Sequence, residues 1–184
     1  MMFEADVIIP VYKPGEKLLR LLEKLQNQSW PVGKIILINT EQKYFDELVK
    51  EGDFYQKYPG VMVKHISKRE FDHGKTRNYG VSLSTAPYFI MMTDDAVPTD
   101  EKLVENLLMP FQDEGVGMTY ARQLPAKGCG VIESYTRSFN YPDASQTKSS
   151  GDLGSMGIKT FFASNVCAAY RRGLFDELGG FTNH

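Results

Sequence analysis

The sequence predicts an α/β fold with a mainly parallel central sheet flanked by helices. Short apolar runs typical of buried strands alternate, between residues 5 and 122, with longer segments whose apolar residues recur at helical spacing. Such alternation favours a parallel sheet, because a helix carries the chain back between successive parallel strands. The 184 residues are enough for one core, and no linker divides them, so we expect a single domain over residues 1–184.

The first part of the chain alternates strands and helices in a regular order. Three apolar runs predict strands, at 6–11, 34–39 and 61–66. The segment 15–28 predicts a helix, because its leucines recur every three or four residues and form one apolar face. A second helix, with Phe45 on its inner side, precedes the third strand.

The second part of the chain continues the alternation less regularly. Helices are predicted at 75–85, 100–111 and 131–139, and strands at 88–92, 115–122 and 161–172. Gly80 weakens the pattern of the first of these helices, and Thr99 or Asp100 is the expected start of the second. The Gly- and Ser-rich segment 143–157 predicts a loop.

Composition excludes several classes of protein. Hydrophobic residues make up 42% and charged residues 24% of the chain, which is typical of a globular protein, and the formal net charge of −2 gives no reason to expect nucleic acid as a partner. Cys129 and Cys167 form no CxxC pair, so a zinc site made mainly of cysteines is excluded and two free thiols are expected. No apolar run approaches the roughly 20 residues that a membrane span needs.

Polar residues follow the predicted strands, where open α/β sheets bind their ligands. The strand ends are Pro10-Val11-Tyr12, Asn39-Thr40, His65-Ile66-Ser67 and Thr93-Asp94-Asp95. The two aspartates are not needed to cap the next helix, and adjacent carboxylates favour a divalent cation such as Mg²⁺ or Mn²⁺ that also binds phosphate. A metal–phosphate site and an ordinary strand-to-helix turn both remain open at this point.

Other catalytic motifs fail in detail. "HGKTRN" imitates the end of a P-loop, but the required first glycine is Arg69. No GxGxxG follows the first strand, no GxSxG is present, and no two of the three histidines have metal-ligand spacing. Two interpretations of "HGKTRN" remain. Its basic side chains either face an anionic ligand or belong to a solvated helix start.

Several short motifs, taken in order, resemble the family 2 glycosyltransferases of the GT-A (nucleotide-diphospho-sugar transferase) fold. They are "IIPVYK", "KTRN" and "MMTDD"; the later "YARQLP", "RSFNYP" and "GIKTFFASNVCAAYRRGLFDELGGF" are similar to the bacterial rhamnosyltransferase-like branch. The resemblance implies inverting, metal-dependent transfer of a sugar from a nucleotide-diphosphate donor to a glycan or lipid-linked acceptor. Among possible donors, the resemblance favours dTDP-rhamnose first and UDP-sugars second. The implied location is the cytoplasm or the inner face of the membrane, and the resemblance leaves open a peripheral membrane association of the full-length protein.

The resemblance also assigns roles to individual residues. Asp95 corresponds to the main metal ligand for Mg²⁺ or Mn²⁺ and Asp94 to a secondary one, while Thr93 replaces the family's first aspartate. The residues implied to bind the donor nucleotide are Pro10, Val11 and Tyr12, which flank the base, Asn39, which accepts from a base N–H, and Lys75, Arg77 and Asp94.

The family's general base follows "GGF" in a Glu-Asp motif, which "GGFTNH" does not contain before the sequence ends at His184. We therefore expect a protein truncated at its C-terminus, with the base beyond His184, that binds nucleotide but transfers sugar poorly. Asp152 and Asp176 are the alternative bases. A nucleotidyltransferase and a non-catalytic nucleotide-sugar-binding fragment are the two rival functions.

Overall fold

The computed structural model describes residues 3–50, 52–126 and 128–182. Its strands are β1 Ala5–Tyr12, β2 Ile35–Thr40, β3 Val61–Ile66, β4 Tyr88–Met92, β5 Met118–Tyr120 and β6 Cys167–Arg171. Its α-helices are α1 Glu16–Gln26, α2 Gln42–Val49, α3 Phe54–Lys57, α4 His73–Ser82, α5 Leu103–Leu108, α6 Val131–Asn140, α7 Leu153–Met156 and α8 Arg172–Glu177. Turns of 3₁₀-helix lie at Met109–Gln112, Ser150–Asp152 and Gly157–Phe161.

The six strands form one mixed sheet in the order β3-β2-β1-β4-β6-β5. Strands β1 to β4 run parallel to their neighbours, and β6 runs antiparallel to β4. The predicted α/β class and mainly parallel sheet are therefore confirmed for the first four strands. The order reverses direction between β1 and β4, which is the place where open α/β sheets form their ligand crevice.

The chain divides into two compact units, Met1–Thr119 with Asn165–His184, and Tyr120–Ser164. The first unit contains β1 to β4, β6 and all but the last residue of β5, and the second contains α6 and α7. The expected single domain stays a prediction.

The core of the first unit lies between α4 and the central strands. A buried cluster joins these elements through Ile8, Ile36, Ile38, Val81, Phe89 and Met91. Gly80 allows the close approach of α4, because a Cβ at this position would lie 2.4 Å from Cγ2 of Ile8. The apolar face predicted for α1 is confirmed, with Leu18, Leu21, Leu22 and Leu25 all buried.

The second unit is organised around Gln123. Its amide nitrogen donates to the hydroxyls of Tyr141 and Ser164, and its amide oxygen accepts from Arg137. Gln123 comes from "YARQLP", while Arg137 and Tyr141 come from "RSFNYP". These two motifs therefore have a structural role within the unit.

Several element boundaries differ from the predicted ones, and the strand expected at 115–122 covers only Met118–Tyr120. The helix expected at 100–111 begins at Leu103, because the Asp100 carboxylate accepts from the backbone N–H of Lys102 at 2.9 Å and forms a turn first. The strand expected at 161–172 covers only Cys167–Arg171. The segment expected to be a loop contains one 3₁₀ turn and α7, started by a capping box between Ser149 and Asp152.

Candidate functional site

Strands β1 to β4 are parallel, so their carboxyl ends meet at one edge of the sheet. Two residues just beyond this edge, Lys13 and Glu41, have φ angles of 52° and 67°. They are the non-glycine residues with positive φ among those that the structure describes. Such a conformation is uncommon for residues with a Cβ, and it occurs frequently at ligand sites. The edge that the sequence predicts to be functional is thus also locally strained.

Asp94 lies at the junction between the ends of β1 and β4. Its carboxylate accepts a hydrogen bond from the backbone N–H of Tyr12, and Lys17 on α1 is close enough to lower its pKa. Burial and the neighbouring charge of Asp95 act more strongly and raise the pKa of Asp94 above the ordinary aspartate value. Lys17 was not singled out from the sequence, since nothing in its neighbourhood on α1 distinguishes it from the other exposed lysines.

Asp95 is exposed and is oriented by the residue that replaces the family's first aspartate. The Thr93 hydroxyl donates to Oδ1 of Asp95 at 2.8 Å. This bond uses one side of one carboxylate oxygen and leaves Oδ2 for other partners. Thr93 therefore contributes to the acidic pair as an orienting group and not as a third charge.

The acidic pair fits a hard divalent cation that is shared with a ligand. Within residues 3–50, 52–126 and 128–182, no group of three or more His, Cys, Asp or Glu side chains could hold a metal by itself. Two adjacent carboxylates, one of them held with a raised pKa, supply the oxygen ligands that Mg²⁺ and Mn²⁺ prefer. Water and ligand oxygens would have to complete the coordination shell.

Helix α4 presents the basic residues of "HGKTRN" at its first turns. Asp72 caps the helix by accepting from the backbone N–H groups of Gly74 and Lys75, at 3.0 and 2.8 Å. The Lys75 side chain is exposed, whereas Arg77 is half-buried. The motif is therefore a capped helix start, and it also carries an inward-facing cation.

Arg77 has spare capacity to bind an anion. Its Nη1 donates to the backbone oxygen of His73 at 2.8 Å, but its Nε is buried and has no hydrogen-bond partner among the described residues. Burial lowers the pKa of Arg77, and the nearby phenol of Tyr170 partly opposes this effect. A buried guanidinium N–H without a partner is unfavourable, so a negatively charged ligand would stabilise it.

Residues at the end of β1 form an aromatic surface at the same edge. Pro10 is half-buried and Val11 is buried, but Tyr12 is 43% exposed. The Tyr12 ring contacts Tyr44 edge-on with centroids 5.7 Å apart, and the Lys13 ammonium lies 5.4 Å from the Tyr12 ring. An exposed, anchored ring of this kind can stack on a nucleobase.

Asn39 and Thr40 at the end of β2 are both buried. The Asn39 amide nitrogen donates to the Glu41 oxygen at 3.2 Å and contacts Nδ1 of His65 at 3.0 Å, while its Oδ1 has no partner. Asn39 pairs with Val11 and Thr40 with Tyr12. Because side chains alternate along a strand, Thr40 and not Asn39 shares the face of Tyr12.

The sequence interpretation named Thr40 as part of a strand end but gave it no role, although strand alternation relates it to Tyr12. Its Oγ1 is buried and has no partner among the described residues. The predicted contact between Asn39 and a base stays a prediction, and it requires this fully buried side chain to become accessible.

The two alternative bases have different surroundings. Asp152 lies in the second unit, where its Oδ2 accepts from the backbone N–H and hydroxyl of Ser149 at 2.7 and 3.1 Å. Asp176 is exposed on α8. The capping contacts of Asp152 therefore already occupy its Oδ2.

The sheet order, the strand directions and the acidic edge together define a GT-A fold. Similar solved structures include the mannosyltransferase PcManGT from Pyrobaculum calidifontis in complex with GDP-Man and Mn²⁺, with a TM-score of 0.65 and 14% identity over 99% of this chain and 48% of that one. S. aureus TarS 1–349 in complex with UDP-GlcNAc is similar with a TM-score of 0.64 and 14% identity, over 98% of this chain and 49% of that one. At this level of identity the likeness concerns the fold alone.

Residues 6–179 match the family described as "Glycosyl transferase family 2", and the chain belongs to that family. It is 39% identical over 180 residues to the O-antigen chain rhamnosyltransferase WbaN of Salmonella anatum and 35% identical over 179 residues to RfbN of Salmonella typhimurium. These matches cover 97% of this chain and 55% of each relative, so the chain spans about half the length of the curated relatives. The predicted family and fold are confirmed.

Proposed function

We propose that this chain is the donor-binding part of a glycosyltransferase that uses a nucleotide-diphosphate sugar. The acidic pair at the carboxyl edge carries the proposal, because Asp94 is bonded to the backbone of Tyr12 and the adjacent Asp95 is exposed to a ligand. The rhamnosyltransferase relatives favour rhamnose as the sugar, and their O-antigen names favour a glycan or lipid-linked acceptor. Inverting transfer is part of the proposal.

Each residue at the edge has a role in this proposal. Asp95, with Asp94, would hold Mg²⁺ or Mn²⁺, whose charge would stabilise the departing diphosphate. Tyr12 would stack on the pyrimidine base, with Pro10 and Val11 shaping the strand end beside it. Arg77, whose Nε has no partner, and the exposed Lys75 would attract the anionic nucleotide. Asn39 is proposed to accept from a base N–H.

Inverting transfer also needs a general base for the acceptor hydroxyl. Asp152 is engaged in a helix cap and Asp176 is an exposed helical residue, so neither side chain has a base-like setting. The base beyond His184 and the poor transfer by residues 1–184 stay predictions.

Calorimetric titration with dTDP and UDP, each with and without Mn²⁺, tests the proposal. We expect Mn²⁺ to strengthen diphosphate binding, and we expect Asp95→Asn to remove at least about tenfold of that gain, because a direct ligand is lost. Asp46→Asn, which changes an exposed aspartate on α2, is the matched control and should behave like the wild type.

The same titrations separate the rival functions. Metal-independent binding, or an equal gain from Mn²⁺ in Asp95→Asn, would contradict the proposed metal site. A strict preference for dTTP over dTDP would favour a nucleotidyltransferase. Binding without sugar transfer is expected of residues 1–184 themselves, whereas appreciable transfer in a separate assay would exclude a non-catalytic binding fragment and would contradict the predicted poor transfer.

We also propose peripheral membrane association on the cytoplasmic face, where lipid-linked acceptors are presented. Helix α6 supports it, because Ile132 and Phe139 are 83% and 54% exposed and the Lys159 ammonium lies 3.4 Å from the Phe139 ring centroid. Apolar side chains beside cations are typical of helices that lie on anionic bilayers. Across the part of the chain that the structure describes, no helix is long and apolar enough to span a membrane.

Flotation of the protein with vesicles tests this association. We expect binding to vesicles that contain anionic phosphatidylglycerol and weaker binding to neutral phosphatidylcholine. Ile132→Glu should reduce binding, whereas Glu133→Gln, a neighbouring exposed change on α6, should not. Equal recovery of the wild type with and without vesicles would contradict the proposal.

A further inference from the structure

The return strand β6 brings one further polar residue to the acidic edge. Strand β6 runs antiparallel to β4, with Cys167 opposite Met92. The pairing continues beyond the strands, because the backbone N–H of Thr93 donates to the Val166 oxygen at 3.0 Å. Asn165, the residue before Val166, and Asp94, the residue after Thr93, therefore follow this bond on the two chain segments. Asn165 and Asp94 are 71 residues apart in the sequence, but the antiparallel pairing brings their segments together at the end of β4.

Tyr170 fixes the orientation of the Asn165 amide. Its hydroxyl donates to Oδ1 of Asn165. Burial raises the pKa of Tyr170 to about 12, so the phenol keeps its proton near neutral pH and can donate this bond. Its ring is also fixed, because it stacks on Phe89 with centroids 5.1 Å apart. The amide oxygen of Asn165 is therefore directed towards Tyr170.

This orientation determines what Asn165 can offer to a ligand. A side-chain amide has an oxygen that accepts and a nitrogen with two N–H donors. Since Tyr170 occupies the oxygen, the nitrogen is the group that remains to meet an oxygen-rich ligand at the edge. The same phenol is close enough to Arg77 to affect its pKa. Tyr170 therefore lies near the Arg77 guanidinium and also bonds to the Asn165 amide.

We infer that Asn165 is a donor-substrate-binding residue and that Tyr170 is its positioning residue. Asn165 donates an amide N–H to an oxygen of the nucleotide sugar, either a phosphoryl oxygen or a sugar hydroxyl. Tyr170 keeps the amide from turning its oxygen towards the anionic ligand. The inference rests on the proposed function, because it names a further contact in the same site.

Calorimetric titration of the 184-residue protein with dTDP and with dTDP-rhamnose, both with Mn²⁺, tests the inference. We expect Asn165→Ala to weaken binding about three- to tenfold, which is the usual range for one lost hydrogen bond to a partly charged ligand. Asn106→Ala, which removes an exposed amide on α5, is the matched control and should leave both affinities unchanged.

The two ligands identify the oxygen that is bound. Weakening of both dTDP and dTDP-rhamnose by Asn165→Ala supports a phosphoryl contact, and weakening of dTDP-rhamnose alone supports a sugar hydroxyl. Unchanged affinity for both ligands in a folded Asn165→Ala variant would overturn the inference. If the wild type binds neither ligand, the proposed function fails first and the inference falls with it.

The role of Tyr170 has its own readout. We expect Tyr170→Phe to weaken dTDP-rhamnose binding about two- to fivefold in the wild type, but to have no further effect when Asn165→Ala is already present. A structural role alone would give the same loss in both backgrounds, which would overturn the positioning role. Asn165→Asp keeps the size of the side chain but removes its donors, so it should lose at least as much affinity as Asn165→Ala and provides a second test.

Discussion

Gly80→Ala tests how closely α4 must pack on the sheet to hold Arg77 in place. The added Cβ would lie 2.4 Å from Cγ2 of Ile8 and 3.3 Å from Cγ1 of Ile38, whereas carbon atoms in contact are normally about 3.5–4.0 Å apart. Relieving this overlap requires a shift of α4 or a poor rotamer of Ile8, at a cost of about 1–3 kcal/mol. The helix itself gains about 0.5–1 kcal/mol when alanine replaces glycine.

The net expectation is that the free energy of unfolding falls by about 1 kcal/mol, within a range of about 0–2.5 kcal/mol. Thermal and urea denaturation followed by circular dichroism measure it, and a protein of this size should lose about 2–4 °C in Tm per kcal/mol. Gly173→Ala is the control, because no atom lies within 4 Å of its added Cβ and helix α8 should become slightly more stable. Gly80→Ala at or above wild-type stability, with the expected gain in Gly173→Ala, would refute the packing argument.

Three further predictions concern protons and hydrogen bonds. The raised pKa of Asp94 means that the folded protein holds this proton more tightly than the unfolded chain does. As pH increases through that pKa, the contribution of Asp94 to stability therefore falls and the affinity of its carboxylate for a cation rises. Denaturation and calorimetry should show that both trends flatten in Asp94→Asn, and unchanged trends would contradict the assignment. Burial raises the pKa of Cys167 to about 12, so a disulfide reagent at pH 8 should label the half-exposed Cys129 first. Rapid labelling of the native Cys129→Ser variant would contradict this prediction, because it would show that the thiol of Cys167 is accessible. Asn78 exchanges two hydrogen bonds of 2.9 Å with the backbone of Phe181, so Asn78→Ala should lower the free energy of unfolding by about 1–3 kcal/mol, and a loss below the error of urea denaturation would contradict that role.

Much of the first unit follows from apolar periodicity alone. Buried runs in β1, β2 and β4 leave little choice but a central sheet, and the leucines of α1 face it at helical spacing. The position of Asp94 and Asp95 at the carboxyl edge also follows, since parallel strands end together. What periodicity cannot give is a partner that depends on three-dimensional proximity, such as Lys17 beside Asp94.

The choice between Asn39 and Thr40 illustrates a different limit. Both follow an apolar run, and a resemblance to a family motif selects Asn39. The register with β1 instead places Thr40 on the face of Tyr12. Strand alternation contains this information, but it can be used only when the phase of the strand relative to its neighbour is known, and a run of consecutive buried residues hides that phase.

Asn165 could not be assigned from the sequence because the direction of β6 decides where it lies. An apolar run predicts a strand equally well in either direction. Had β6 been parallel to β4, its amino end would lie at the opposite edge of the sheet, and Asn165 would be a strand length away from the acidic pair. Because Cys167 pairs with Met92 in an antiparallel direction, the segment before β6, which contains Asn165, reaches the edge, and the segment after β6 does not. Tyr170 then lies five residues further along the chain, and its bond to Asn165 runs back along β6 towards the acidic pair. The antiparallel strand β6 thus brings the Asn165 amide, the donor group proposed above, to the edge where β4 ends in two carboxylates.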